Sequence, residues 1–145
     1  MAYDQETLER FQILHSEIIQ YYQLIENDMR RFFAVISDSD YTETMEELGT
    51  KNWSEVLNRL RKLDNSDGRP FLEESEYDLF EEIRPRRNYW CHQCYLDFAY
   101  IRDDNERNAL LKKKLLTLEN EHNRTYKIHR KLQDNYVELV RRLSE

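Results

Sequence analysis

Only two glycines and two prolines punctuate 145 residues. A chain with so few breakers has few places to turn sharply or to interrupt a helix, and long uninterrupted helices are what it can form most readily. Apolar spacing says the same. From Leu8 the sequence places Phe11, Leu14, Ile18, Tyr21, Tyr22, Ile25, Met29, Phe32, Phe33 and Ile36 at steps of mostly three and four, the period of one face of an amphipathic helix. Ser37-Asp38-Ser39-Asp40 supplies residues that favour caps and turns, and so ends that helix. A short piece with Tyr41, Met45 and Leu48 follows and closes at Gly49. Asn52 then suits the N-cap of a helix burying Trp53, Val56, Leu57, Leu60 and Leu63. Residues 64–70, DNSDGRP, read as a loop. A helix from about Phe71 carries Tyr77, Phe80 and Ile83 towards Pro85. The last helix follows RDDNE at 102–106, with a stripe running from Leu111 through Leu118, Thr125, Leu132 and Leu139 to Leu143. Its period stays close to 3.5, as bundle packing requires. No stretch alternates in the manner of a strand. The expectation is an all-α, antiparallel bundle of four or five helices with long first and last members, residues 1–145 forming one domain.

Composition narrows the function classes. A chain of this length buries roughly 68–70% of its unfolded surface. Charged residues make up 35% and the net charge is −7, so a soluble protein is expected. No apolar run approaches the ~20 residues that span a bilayer, and the first ten residues, MAYDQETLER, lack the basic and apolar regions of a secretory signal. The reading is cytoplasmic, with no membrane partner. The acidic balance argues against nonspecific coating of nucleic acid, which rests on phosphate neutralisation. It leaves room for a local basic site: Arg84, Arg86 and Arg87 fall within four residues, directly after the acidic stretch at 73–82.

The segment RNYWCHQCY at 87–95 supports two incompatible chemistries. Trp90-Cys91-x-x-Cys94 outlines a thioredoxin-like redox pair, but such a pair needs a preceding strand and a βαβ framework, and its first Cys belongs at a helix N-terminus. As zinc ligands the two cysteines lack partners, since a structural site takes four. Two packed thiols are the better reading, with no metal and no cofactor. In the second reading Pro85, which lacks an N–H and disfavours helix at Arg84, marks a kink or a fresh helix start. Arg86, Arg87 and Asn88 then fall in first turns whose free N–H groups attract anions. Asn88, His92 and Tyr95 would share one stripe. Arg87 and His92, five residues apart, diverge by about 140° around an ideal helix, so one helix does not converge both tightly on one atom; two copies of the motif facing each other across a dimer could, which argues for a composite site.

Arg87-Asn88-x-x-x-His92, on the penultimate helix of a small all-α chain, resembles the HEPN superfamily (higher eukaryotes and prokaryotes nucleotide-binding), whose signature is Arg, often a polar residue such as Asn, and His after a short interval. The aromatic Tyr89 and Trp90 inside the motif fit the resemblance, which would cover essentially the whole chain. It implies a homodimer whose two motifs line one cleft, and metal-independent RNA cleavage by 2′-hydroxyl attack, often in toxins or phage defence. On this chain Arg87 would hold the phosphate, His92 would act as general acid or base, and Asn88 would orient the phosphate or the imidazole. Arg84, Arg86 and Tyr95 would contribute to RNA binding. In members paired with a nucleotidyltransferase antitoxin, a Tyr two residues after the His is modified; here Cys94 holds that position and Tyr95 comes one later. That departure puts neutralisation by this route in question, and the resemblance leaves an antitoxin protein as one partner to test. The alternatives are a non-catalytic module that binds a nucleotide or partner, and a structural helical dimer.

Remaining features read as packing or solvated surface. His122 and His129 lie about 10.5 Å apart along the last helix, too far to share a metal, and fit core or interface positions. His15 has no assigned role. Lys112-Lys113-Lys114, Arg30-Arg31 and Arg141-Arg142 read as solvated faces. Gly49 and Gly68 alone cannot build a phosphate-binding glycine loop.

Overall fold

Asp4, extended at the first helical boundary, leads into α1, Gln5–Ile36, which buries Phe11, Ile18, Tyr22, Ile25, Met29 and Phe32 along one side. The computed structural model describes residues 2–145. In it Asp40 caps α2, Tyr41–Leu48, by accepting from the Glu43 amide. Asn52 caps α3, Trp53–Asp64, through the Glu55 amide, as its sequence position predicts. α4 is Glu74–His92, a short 3-10 turn occupies Cys94–Asp97, and α5, Asp104–Leu143, starts under Asp103, which accepts from the Asn105 and Glu106 amides. The chain is all-α, with long first and last helices of about 48 and 60 Å.

Side-chain links give the directions. Arg10–Glu119, Glu17–His122 and Phe32–Tyr136 pair rising numbers in α1 with rising numbers in α5, so the two long helices run parallel. α4 runs against both, joined to α1 through His15–Trp90 and Glu26–Arg87 and to α5 through Glu76–Asn135 and Arg86–Glu121. It is also antiparallel to α3, where Trp53 meets Phe80 and Arg61 meets Glu74. The short α2 supplies the return leg that lets α1, α3 and α5 share one direction.

Two expectations change. The fourth helix begins at Glu74 rather than Phe71, because the amides of Phe71 and Leu72 turn back to the buried Asp64 carboxylate, at 2.8 and 3.0 Å. Glu73 and Glu76 then close a capping box. Pro85 does not start a new helix either: α4 passes through it. The amide missing at Pro85 faces the carbonyl of Glu81, an exposed residue that water can serve. Near the break, the Trp53 indole donates to the Phe80 carbonyl at 3.1 Å and Arg86 to that of Glu82 at 3.1 Å. Arg86, Arg87 and Asn88 therefore lie in mid-helix, with no free N–H nest for an anion, and the real N-terminus of α4 is acidic.

Candidate functional site

The last turns of α4 distribute the motif residues over three sides of the helix. Arg84, Asn88 and His92, spaced by four, are exposed, and His92 is the final helical residue. Among the described residues, no hydrogen-bond partner meets the side chains of Asn88 or His92, and no carboxylate pairs with Arg84. This stripe is open to solvent along its length.

Arg87 turns to the junction of α1, α3 and α4. Its Nη2 donates to Glu26 at 3.2 Å and its guanidinium lies 5.7 Å from the Trp53 ring centroid. Glu26, only 12% exposed, is also held by Arg30 at 2.6 Å. Arg30 in turn donates to the carbonyls of Leu48 and Lys51, so it is a half-buried clamp rather than a solvated cation. A guanidinium has five N–H donors, and a single one is used on Glu26. The carboxylate thus fixes Arg87 in place and leaves donors for a second anion. Cys91, one turn on, has its thiol pushed up by burial, against the lowering pull of Arg87.

Arg86 takes the opposite flank, towards α5. Its Nε meets the buried Glu121 at 2.9 Å, and that carboxylate also accepts from Tyr22 at 2.9 Å and Thr125 at 3.0 Å. Burial raises the Tyr22 hydroxyl, so it stays a donor. The Nη2 of Arg86 is buried without a hydrogen-bond partner. Beside it, Tyr89 and Asp97 are tied to Lys114, and the Lys114 hydrogen bond pulls the Asp97 carboxyl below its usual range.

Tyr95 does not continue the Asn88–His92 stripe. The helix ends at His92, and the 3-10 turn swings Tyr95 onto Phe11 and His15, with centroids 5.4 Å away in both cases. His15, without a role in the sequence reading, donates from Nε2 to the Trp90 carbonyl at 2.7 Å and so ties the end of α4 to α1. Cys94 is buried and donates to the same carbonyl at 3.3 Å; burial pushes its thiol up to about 11. His129 is buried, with Tyr21 stacked on it at 5.5 Å, and half-buried His122 meets Glu17 at 2.8 Å. No three His, Cys, Asp or Glu side chains among the described residues are grouped to hold a metal ion.

The structure therefore brings Arg84, Asn88 and His92 onto one face and sends Arg86 and Arg87 to its two flanks. Glu26 and Glu121, which fix those arginines, were missed in the sequence. Each contact joins residues 35 or more positions apart, and no local spacing encodes it. Comparison with protein-family models, with curated proteins and with solved structures finds no match to this chain.

Proposed function

We propose that this chain is a metal-independent endoribonuclease of HEPN type, acting as a homodimer in a toxin or phage-defence role. The observation that carries the reading is the solvent-open Asn88–His92 face beside an arginine already anchored by Glu26. Cleavage by 2′-hydroxyl attack needs a proton acceptor, a proton donor and stabilisation of phosphate charge. Imidazole is the side chain whose ordinary ionisation lies between pH 5 and 8, and a guanidinium presents a planar fork to phosphate. His92 takes the proton transfer, Arg87 the phosphate and Asn88 its orientation. Because Arg87 is held against α1 and α3 while His92 faces solvent, the reactive pair is completed across a two-fold axis, Arg87 of one protomer working with the imidazole of the other.

The test is cleavage of mixed cellular RNA in excess EDTA. The reading expects cutting with 2′,3′-cyclic phosphate ends, and survival of DNA of the same sequence, which has no 2′-hydroxyl. Cutting only with added Mg²⁺ would refute it. One observation favours the alternative of a non-catalytic binding module or structural dimer: Glu26 already neutralises Arg87. Under that reading no RNA is cut, and Arg87→Ala lowers stability alone.

A further inference from the structure

α4 stands off from α5: side chains rather than closely packed backbones span the gap. Three consecutive hollows follow, of about 280, 370 and 160 Å³. The first is lined in part by Lys113, Lys114 and Thr117, the second by Thr117, Asn120 and Arg124, and the third by Lys127 and Lys131. Lys113, Thr117, Asn120, Arg124, Lys127 and Lys131 follow one another at steps of three and four, within about 40° of one line along α5. All six are exposed. From Lys113 to Lys131 the line runs about 27 Å.

The charge on this trough has one sign in excess. Lys114 and Arg86 join the cations, against the carboxylates of Asp97, Glu121 and Glu76, and each of those carboxylates is already engaged. Asp97 takes Lys114 and Tyr89, Glu121 takes Arg86, Tyr22 and Thr125, and Glu76 takes Asn135 and the Glu73 amide. Arg124 and Lys131 approach Glu121 and Glu76 only at 3.8 and 3.6 Å and are more than half exposed. Lys113 and Lys127 meet no carboxylate among the described residues. Glu82, one turn before Arg86 on α4, is exposed. On a chain of net charge −7 such a stripe is the local footprint expected of a polyanion track. The hollows between the cations have apolar walls, Leu110 in the first and Ile128 and Leu132 in the third. Cations that follow a backbone beside apolar recesses suit single-stranded nucleic acid, whose bases are free to leave the stack. A duplex offers its phosphates but keeps its bases paired.

We propose that the α4–α5 trough binds single-stranded RNA along its phosphate backbone, with Arg86 lining its middle hollow and its first hollow beside the 3-10 turn that follows His92. As a substrate path this rests on the ribonuclease reading; as a binding site it stands alone. The experiment measures binding of a labelled single-stranded RNA to the His92→Ala protein over a range of salt, so that cleavage does not enter. A variant with Lys113, Arg124, Lys127 and Lys131 each changed to Gln is compared with one in which four exposed cations off the trough, Lys62, Arg69, Arg102 and Arg130, are changed alike. Both have the same net charge, and Gln keeps helix propensity close to that of Lys and Arg, which circular dichroism checks. The trough variant should bind at least tenfold more weakly, and its log Kd against log salt slope should fall by roughly 0.7 for each phosphate it no longer neutralises. The control variant should bind like the parent. Equal weakening in the two variants, no binding by the parent, or displacement of the RNA by polyglutamate as readily as by unlabelled RNA would overturn the proposal. RNA held in the trough but never cut by the unmutated protein would sink the ribonuclease reading and leave the trough standing. RNA cut at full rate by a trough variant that retains His92 would remove the trough from the substrate path.

Discussion

Glu26 governs what Arg87 can do. The carboxylate sits between Arg30 and Arg87 at 2.6 and 3.2 Å, and the arginine is useful to a phosphate only while it is aimed. Glu26→Gln keeps the shape and drops the charge. Under the proposed chemistry it should slow RNA cleavage about ten- to a hundredfold, the cost of misplacing a positioning group, while circular dichroism stays unchanged; full activity would mean that Glu26 aims nothing. Burial gives two further readouts. His129 is held below its ordinary 6.5 chiefly by desolvation, so below pH 6.5 the unfolded chain takes a proton that the folded one resists. Stability is thereby lost as the pH falls below 6.5. Asp28, raised by burial, acts with the opposite sign, gaining stability at lower pH. Urea unfolding at pH 7.5 and 5.5 should show a smaller acid loss for His129→Gln than for the parent. Cys94, pushed up to about 11, holds little thiolate at pH 7; labelling of the native thiols by a disulfide reagent should be slow, and fast labelling of Cys94 would revive the redox reading. At this scale the sequence was readable where spacing is local, as in the Asn52 cap and the stripe of Asn88 and His92. It was opaque where a partner lies far along the chain, as with Glu26 and Arg87, Glu121 and Arg86, and His15 and the Trp90 carbonyl.

At the scale of elements, Pro85 separates what local rules dictate from what packing decides. Local chemistry argues for a break, yet α4 carries Tyr77, Phe80 and Ile83 before the proline and Trp90 after it, all buried. Keeping both groups in one core outweighs one missing hydrogen bond. Pro85→Ala restores that bond to the Glu81 carbonyl and should stabilise the fold by about 2 kcal/mol, somewhat less than the helix-interior cost of proline because proline also stiffens the unfolded chain. Urea denaturation measures it, and a destabilised variant would mean that α4 needs the proline's geometry. Helix existence and order were legible from apolar steps of three and four and from the Asn52 cap. The start of α4 was not, because Asp64 captures the Phe71 and Leu72 amides from across the loop.

For the whole molecule, the parallel α1 and α5 leave α4 laid against them in the reverse direction, its motif face turned to solvent. No helix among the described residues is long and apolar enough to cross a membrane. Ile13, Leu96, Tyr100, Leu116 and Val137 are large apolar residues left more than half exposed, and a two-fold partner would cover part of that surface. Sedimentation at micromolar concentration should therefore give a dimer. If Arg87 and His92 act together across a dimer, mixing two inactive variants will show it. Arg87→Ala and His92→Ala proteins, assayed separately in EDTA, should each cut RNA roughly 10²–10⁴-fold more slowly than the parent. After subunit exchange, half of the dimers carry one intact Arg87–His92 pair. The mixture should recover up to about a quarter of the parent rate, the share that random exchange between symmetric protomers allows. Either variant cutting at the parent rate, or a mixture no faster than its components although exchange is complete, would contradict action across the dimer.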